Sequence, residues 1–111
     1  MSPERSRPRP VGEDRRLLLF VAGEEPNSRL ARANLEGLRP SVEAAGGTVE
    51  VHDVFEDFSA AMEHRILVTP ALLQLAPGSR VVVVGSLCDL PAVRRALGLP
   101  AAAPMSAKAG P

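Results

Sequence analysis

The sequence predicts an α/β fold in which helices flank a mixed sheet of four strands. A short run of five large apolar residues at positions 17–21 fits a strand that is buried on both faces. An apolar stripe at helical spacing follows that run, and a run of four valines at 81–84 fits a further strand. In chain order the predicted elements read β-α-β-α-β-β-α, which places helices between the strands.

Length, charge and cysteine content set broad limits. The chain has 111 residues, which suits one domain with a core large enough to fold without disulfides. A formal net charge of zero favours neither nucleic acid nor an anionic membrane. One cysteine, Cys88, excludes an internal disulfide framework and indicates a reducing compartment. Without a membrane-spanning run or a signal-peptide pattern, we expect a soluble, cytoplasmic protein.

Both ends of the chain are predicted to be disordered tails. Residues 1–14 alternate proline with arginine, and residues 101–111 show no apolar periodicity. The folded domain is therefore predicted to span residues 15–100.

The loop after the first strand, Gly23-Glu24-Glu25-Pro26, carries no catalytic set. It has no cysteine, no nucleophile beside a base and no glycine-rich phosphate cradle, and its two carboxylates would repel a phosphate. The next residues, Pro26, Asn27 and Ser28, supply helix start signals: a fixed φ and two side chains with oxygens that can cap. The pattern predicts a capped surface turn.

The first helix is predicted to bury one apolar face and to stop at a glycine pair, residues 46–47. Pro40 interrupts this pattern, because a proline inside a helix removes a backbone hydrogen bond and clashes one turn back. We expect a kink there, or a break with a short second turn starting at Pro40. The predicted buried face consists of Ala31, Leu35, Leu38, Val42 and Ala45.

A second strand at residues 48–54 is predicted from its alternation, with Val49, Val51 and, as an open alternative, Asp53 on one face. A short helix should follow, capped by Asp57 or Ser59. Its apolar residues, four apart, are predicted to be buried: Phe58 and Met62.

Neither histidine of the chain has a second histidine or a cysteine at metal-ligand spacing, so no metal site is predicted for His52 or His64. Pro70 lies in the middle of an apolar run and cannot be an ordinary central-strand residue. It belongs either to an edge strand or to a turn that enters a strand, where a cis bond is possible.

After Pro70 we expect a hairpin over residues 73–84 and a last helix capped by Asp89. The helix should end at Gly98 and Pro100. Its buried face is predicted to hold Leu90, Val93 and Leu97, and its outer face Arg94 and Arg95.

The order of elements matches a thioredoxin-like fold. In thioredoxins the loop after the first strand carries Cys-x-x-Cys, whereas here it carries no thiol, so disulfide exchange is not expected. We interpret Cys88 as a small buried or half-buried residue. The sequence thus shows no catalytic set and no motif for a bound cofactor.

Four segments in register carry a further resemblance, to the KaiB family of circadian-clock proteins. It covers residues 15–99. The segments are Val21-Ala22-Gly23-x-x-Pro26-Asn27-Ser28, Val51-x-Asp53-Val54, Ile66-Leu67-Val68-Thr69-Pro70-x-Leu72 and Gly85-x-Leu87.

The resemblance implies a non-enzymatic protein that binds the ring-shaped, RecA-like ATPase KaiC and helps to time its phosphorylation cycle. It also implies KaiA and a histidine kinase with a related thioredoxin-like domain as further partners. Such proteins switch fold: the second half refolds into a different packing that assembles into tetramers, so a homo-oligomer is possible. Proline isomerisation is implicated, which makes Thr69, Pro70 and Gly85 candidate switch residues.

Carried over by position, the resemblance implies that Arg65 presents a positive charge to the ATPase. It implies that the segment Pro26-Asn27-Ser28 helps to form the binding surface. For Asp53 we favour a structural role. This sequence departs from the family at Ser86, at the interrupting Pro40, in its shortened last helix and in having no tyrosine. These departures favour a protein held mainly in the thioredoxin-like form.

Two alternatives remain open at this stage. One is a KaiB-type adaptor outside any clock, which binds a KaiC-like ATPase or a sensor kinase in stress signalling. The other is a thioredoxin-like oxidoreductase or glutathione-binding protein, in which the loop at Thr69 and Pro70 would hold an extended thiol peptide.

Overall fold

A computed structural model describes residues 15–99; the predicted tails, 1–14 and 101–111, and Pro100 lie outside this range. The strands are β1 (Arg16–Val21), β2 (Thr48–Asp53), β3 (Ala71–Ala76) and β4 (Ser79–Val84). The helices are α1 (Pro26–Leu35), α2 (Arg39–Ala44), α3 (Phe58–Glu63) and α4 (Leu90–Leu97).

The strands form one sheet in the order β2-β1-β3-β4, with β1 parallel to β2, and β3 antiparallel to both β1 and β4. This arrangement confirms the predicted mixed sheet and its thioredoxin-like order of elements. The run at 17–21 lies in the inner strand β1, and each of its five residues is at most 1% exposed. The part of a strand that has neighbours on both sides and helices over both faces is expected to be apolar, as this run is.

The interrupting proline produces the predicted break. Helix α1 ends at Leu35, and α2 starts at Arg39 with Pro40 in its first turn. Proline is tolerated there because the N–H groups of the first turn have no partner within the helix, so no hydrogen bond is lost. The apolar face continues across the break and packs on the sheet together with α4. Four of its five predicted members are fully buried, Ala31, Leu35, Leu38 and Val42, whereas Ala45 is half-buried.

On the other face of the sheet, helix α3 packs differently from the prediction. Asp57 caps α3 as expected, accepting from the Ala60 N–H. Phe58 and Met62, predicted to be buried, are 64% and 59% exposed. The small Ala61 faces the sheet instead, because the ring of Phe20, stacked on His52 at 5.3 Å between centroids, fills the space beneath the helix.

Arg94 was predicted to lie on the outer face of α4, and this was wrong: Arg94 is only 8% exposed. Its guanidinium donates to the carbonyl of Gly37 at 2.9 Å and to the hydroxyl of Ser41 at 3.1 Å. Gly37 lies in the linker between α1 and α2, where the helix break leaves carbonyls without helical partners. Arg94 therefore joins the last helix to the break at Pro40.

Replacing this buried arginine should be costly. Arg94→Leu would remove the donor to both the Gly37 carbonyl and the Ser41 hydroxyl, two hydrogen bonds from a charged group in a partly buried site, so we expect the free energy of unfolding to fall by about 1–3 kcal/mol. The matched control is Arg95→Leu, because Arg95 is the exposed neighbour on the same helix; it should change stability by less than about 0.5 kcal/mol. Urea denaturation measures both, and equal effects would contradict this role for Arg94.

A histidine between two carboxylates links β2 to the start of α3. His52 Nε2 lies 2.9 Å from Glu50 Oε1, and His52 Nδ1 lies 3.5 Å from Asp57 Oδ2. The hydrogen bond from His52, aided by Arg16, holds the pKa of Glu50 below its ordinary value of 4.5. The backbone N–H of Ala60, followed by Ser59 and His52, likewise lowers the pKa of Asp57.

These shifts predict acid sensitivity. Because the pKa of Glu50 is lowered on folding, its ionised form stabilises the fold above its ordinary pKa of 4.5, and that contribution is lost as pH falls through the lowered pKa. Urea denaturation over an acid pH series should therefore show a smaller loss of stability for Glu50→Gln than for wild type. Glu56→Gln, a change at an exposed carboxylate, serves as the control. Identical acid profiles for wild type and Glu50→Gln would contradict the prediction.

Candidate functional site

Four connecting segments meet at one end of the sheet. Strands β1, β2 and β4 run in one direction and β3 in the other. The segments after β1, β2 and β4 therefore lie at the same end as the segment that enters β3. We call this region the loop end; it comprises residues 22–25, 54–57, 64–70 and 85–89.

Asp53, the last residue of β2, joins the first two of these segments. Its Oδ1 accepts from the backbone N–H of Gly23 at 3.2 Å and from that of Phe55 at 2.9 Å, and Oδ2 lies 3.8 Å from Arg32 Nη2. Gly23 has φ +56, and a Cβ there would lie 3.2 Å from the Phe55 ring. This geometry agrees with the structural role favoured for Asp53 and favours glycine at position 23.

Helix α1 is capped by Glu25 and not by the residues predicted for that role. Glu25 Oε1 accepts from the Ser28 N–H at 2.9 Å, since Pro26 occupies the first helical position and the residue before it becomes the cap. Ser28 is fully buried, and its Oγ accepts from the Ala22 N–H at 3.0 Å. The prediction that Ser28 belongs to the binding surface is corrected accordingly: it positions the loop. Pro26 and Asn27 are exposed.

The third segment enters β3 through a cis bond between Thr69 and Pro70. Of the two alternatives for Pro70, the turn that enters a strand is correct. Pro70 is buried, and its carbonyl accepts from the Gly85 N–H at 2.9 Å. This bond joins the third segment to the fourth, so the candidate switch residues Pro70 and Gly85 are direct partners.

Large apolar side chains are exposed at the loop end and on the last residue of β4, which adjoins it. Leu67 is 90% exposed, Phe55 77%, Val84 60% and Val68 52%. Single exposed apolar residues are common on proteins, whereas several toward one end of a sheet are a candidate binding surface. We call these four residues the apolar patch. The apolar patch was not predicted from the sequence. A signal was present, because the apolar run before Pro70 cannot continue into a strand and its side chains therefore need not be buried.

Arg65 precedes Leu67 of this patch by two residues. It is exposed and follows α3 with φ 59, and its N–H donates to the Met62 carbonyl at 3.1 Å. Glycine is the usual residue at this left-handed position, and any other residue costs roughly 1–2 kcal/mol there. The next residue back, His64, accepts through its carbonyl from Arg80 of β4. Arg65 is thus held at a fixed position at the start of the segment that enters β3.

Cys88 lies in the fourth segment and is exposed, so its interpretation as a buried or half-buried residue was wrong. Its Sγ lies 3.0 Å from the Ser86 Oγ. Cysteine is absent from the segment after β1, where thioredoxins carry their reactive thiols. Within residues 15–99, no group of three or more histidine, cysteine, aspartate or glutamate side chains is placed to hold a metal ion. No helix in that range has the length and apolar character needed to cross a bilayer.

The fold and most of the sequence match known proteins. The KaiB domain family matches residues 18–99. The N-terminal domain of SasA from Synechococcus elongatus is 30% identical with a TM-score of 0.59, over 80% of this chain and 86% of that one.

Thioredoxins share the same architecture. A thioredoxin from Fasciola hepatica is 17% identical with a TM-score of 0.63, over 78% of this chain and 80% of that one. A thioredoxin variant from Halobacterium salinarum is 27% identical with a TM-score of 0.61, over 75% and 71%. No curated protein sequence matches this chain significantly. The thioredoxins establish the fold, and the match over residues 18–99 goes further: this chain belongs to the KaiB family.

Proposed function

We propose that this KaiB-family chain is a non-enzymatic adaptor that binds a KaiC-type, RecA-like ATPase through its loop end and modulates the phosphorylation cycle of that ATPase. The observation that carries the proposal is the apolar patch, with Leu67 90% exposed beside the buried Pro70. A surface of this kind on a domain without a catalytic set is suited to binding another protein.

The apolar patch would supply most of the affinity. Burying exposed apolar area releases about 25 cal/mol per Å². Leu67 and Phe55 are the most exposed large side chains of the patch, so they have the most area to gain. Interfaces concentrate their energy in a few such anchors, surrounded by contacts that exclude water.

Charged and polar residues around the patch would set orientation. Arg65 lies in the segment that enters β3, and Glu24 and Glu25 lie in the segment after β1, before the exposed Pro26 and Asn27. Charges of both signs in an interface steer encounter and fix register more than they add affinity. In this proposal Ser28 acts from beneath the surface, by holding Ala22.

We further propose that the thioredoxin-like arrangement is the main form of this chain. Two contacts support this proposal: Arg94 ties α4 to the Gly37 carbonyl, and Gly85 bonds to Pro70. Any packing of the second half that moves α4 away from Gly37, or Gly85 away from Pro70, would break these bonds. Circular dichroism and NMR test the point, and a tetramer with the alternative topology in solution would reject it.

Partners beyond the ATPase are a KaiA-like protein and a sensor histidine kinase with a related domain. Binding to such a kinase without binding to the ATPase would support an adaptor outside a clock. Neither partner requires a catalytic group on this chain.

Two substitutions at the loop end test the binding surface. Arg65→Gln and Leu67→Ala should each weaken binding to a KaiC-type ATPase about tenfold, which corresponds to about 1.4 kcal/mol. The matched control is Arg16→Gln, which makes the same change at the start of β1, the end of that strand that is far from the loop end. Size-exclusion chromatography with the ATPase and nucleotide, followed by a binding titration, gives the affinities. Equal affinities for Arg65→Gln and Arg16→Gln would count against the loop end.

A second prediction separates binding from stability. Arg65→Gly should weaken the complex but leave the free energy of unfolding unchanged or up to about 1 kcal/mol higher, since relief of the left-handed strain offsets the entropy cost of glycine. Arg65→Lys should keep the binding. Thermal denaturation and the same titration measure the two properties. A destabilised Arg65→Gly variant, or one that binds as tightly as wild type, would be inconsistent with these roles.

A further inference from the structure

Strand β4 forms one edge of the sheet, and its pairing shows which backbone groups are free. The Gly85 N–H donates to the Pro70 carbonyl, in the same register that pairs Val84 with Ala71. In an antiparallel ladder, hydrogen-bonded positions alternate with positions whose N–H and C=O point away. Val81 and Val83 therefore bond to β3, and Arg80, Val82 and Val84 present their backbone groups outward.

This edge is chemically unlike the edge at β2. Strand β2 carries Glu50, His52 and Asp53, and charged side chains are a common device against edge-to-edge pairing. Strand β4 carries four successive valines, and its only charged residue is Arg80. Val82 and Val84 are 38% and 60% exposed on the face that α3 leaves open. Among the described residues, β4 is the less protected edge.

A cavity of about 410 Å³ lies on the other face of β4, next to α4. An added strand would place alternate side chains on this face and on the open face, as in strand-addition complexes. The cavity would accept apolar groups from such a strand. Its apolar lining includes Val83, Leu87, Ala92, Val93 and Ala96.

We propose that the occupant of this edge is a second copy of the chain, paired antiparallel through β4 with Val82 opposite Val82. In this register Arg80 faces Val84 of the other copy, so all outward groups of Arg80, Val82 and Val84 are hydrogen-bonded. An antiparallel pair of identical strands has two-fold symmetry, the commonest symmetry of homodimers. Val81 and Val83 of the second copy would extend the face that contains the cavity.

Charge permits this pairing. The two Arg80 side chains would lie at opposite ends of the paired strands, about 14 Å apart at about 3.4 Å per residue. This separation exceeds the Debye length of about 8 Å at physiological salt. The aliphatic stem of each Arg80 would cover the exposed Val84 of the other copy. The formal net charge of zero adds no long-range repulsion between copies.

The dimer should be weak. An interface of one strand per copy falls at the low end of interface sizes, below about 1,200 Å² in total, where complexes are transient. It differs from the tetramer that the family resemblance implies, because it requires the thioredoxin-like topology with β4 at the edge.

Sedimentation velocity of the full chain over a wide concentration range measures the association. Wild type should shift reversibly from monomer to dimer as concentration rises. Amide hydrogen exchange provides a second readout: the N–H groups of Arg80, Val82 and Val84 should gain protection with concentration. Those of Val81 and Val83 should be protected at every concentration, because they bond to β3.

Val82→Lys should abolish the dimer, and Val51→Lys is the matched control. Val51 lies on the other edge strand and is 43% exposed, close to the 38% of Val82. Far-ultraviolet circular dichroism verifies folding, and Val84→Lys replaces Val82→Lys if the latter is misfolded. Loss of the dimer in Val82→Lys with retention in Val51→Lys supports the proposal.

Three results would overturn it. The first is a monomer at all concentrations. The second is protection of Arg80, Val82 and Val84 amides that does not depend on concentration, which would mean that other residues of the same chain cover β4. The third is a dimer that survives Val82→Lys, which would place the contact elsewhere.

Discussion

The central position of β1 is the constraint on which the rest of the structure depends. Its residues 17–21 are at most 1% exposed, with Leu17 and Leu19 under α1, α2 and α4, and Leu18 and Phe20 under α3. Because β1 pairs with both β2 and β3, it determines where each half of the chain attaches. The loop end follows from this arrangement, since β1 and β2 finish together where β3 begins.

At the loop end, rigid attachment and exposure occur together. Asp53 holds the first two segments through the Gly23 and Phe55 N–H groups, and the Gly85–Pro70 bond holds the other two. The side chains between these fixed points remain exposed, above all Leu67. A pre-ordered apolar surface loses little conformational entropy when it binds, which would favour the association proposed above.

The order of elements was predictable because it rests on local signals: apolar periods, the proline break and the turn at 76–79. Long-range side-chain contacts were not predictable. Arg94 was placed outside because its helix gives no sign that the Gly37 carbonyl, at 2.9 Å, needs a donor. Helix α3 was given the wrong buried face because the space beneath it is taken by Phe20. In the candidate site, the sequence motifs identified Arg65, Pro70 and Gly85. The exposure of Phe55 and Leu67 was not predictable, because it depends on which parts of the sheet the neighbouring helices cover.

Chemical-shift mapping tests the central claim most directly. An isotope-labelled sample of this chain would be titrated with a KaiC-type ATPase and nucleotide, and backbone amide signals followed. Binding through the loop end predicts that perturbed or broadened signals concentrate in residues 22–25, 54–57, 64–70 and 85–89, while the turn at residues 77–78, at the opposite end of the sheet, is unaffected. Perturbations centred on that turn, or none at saturating ATPase, would contradict the account.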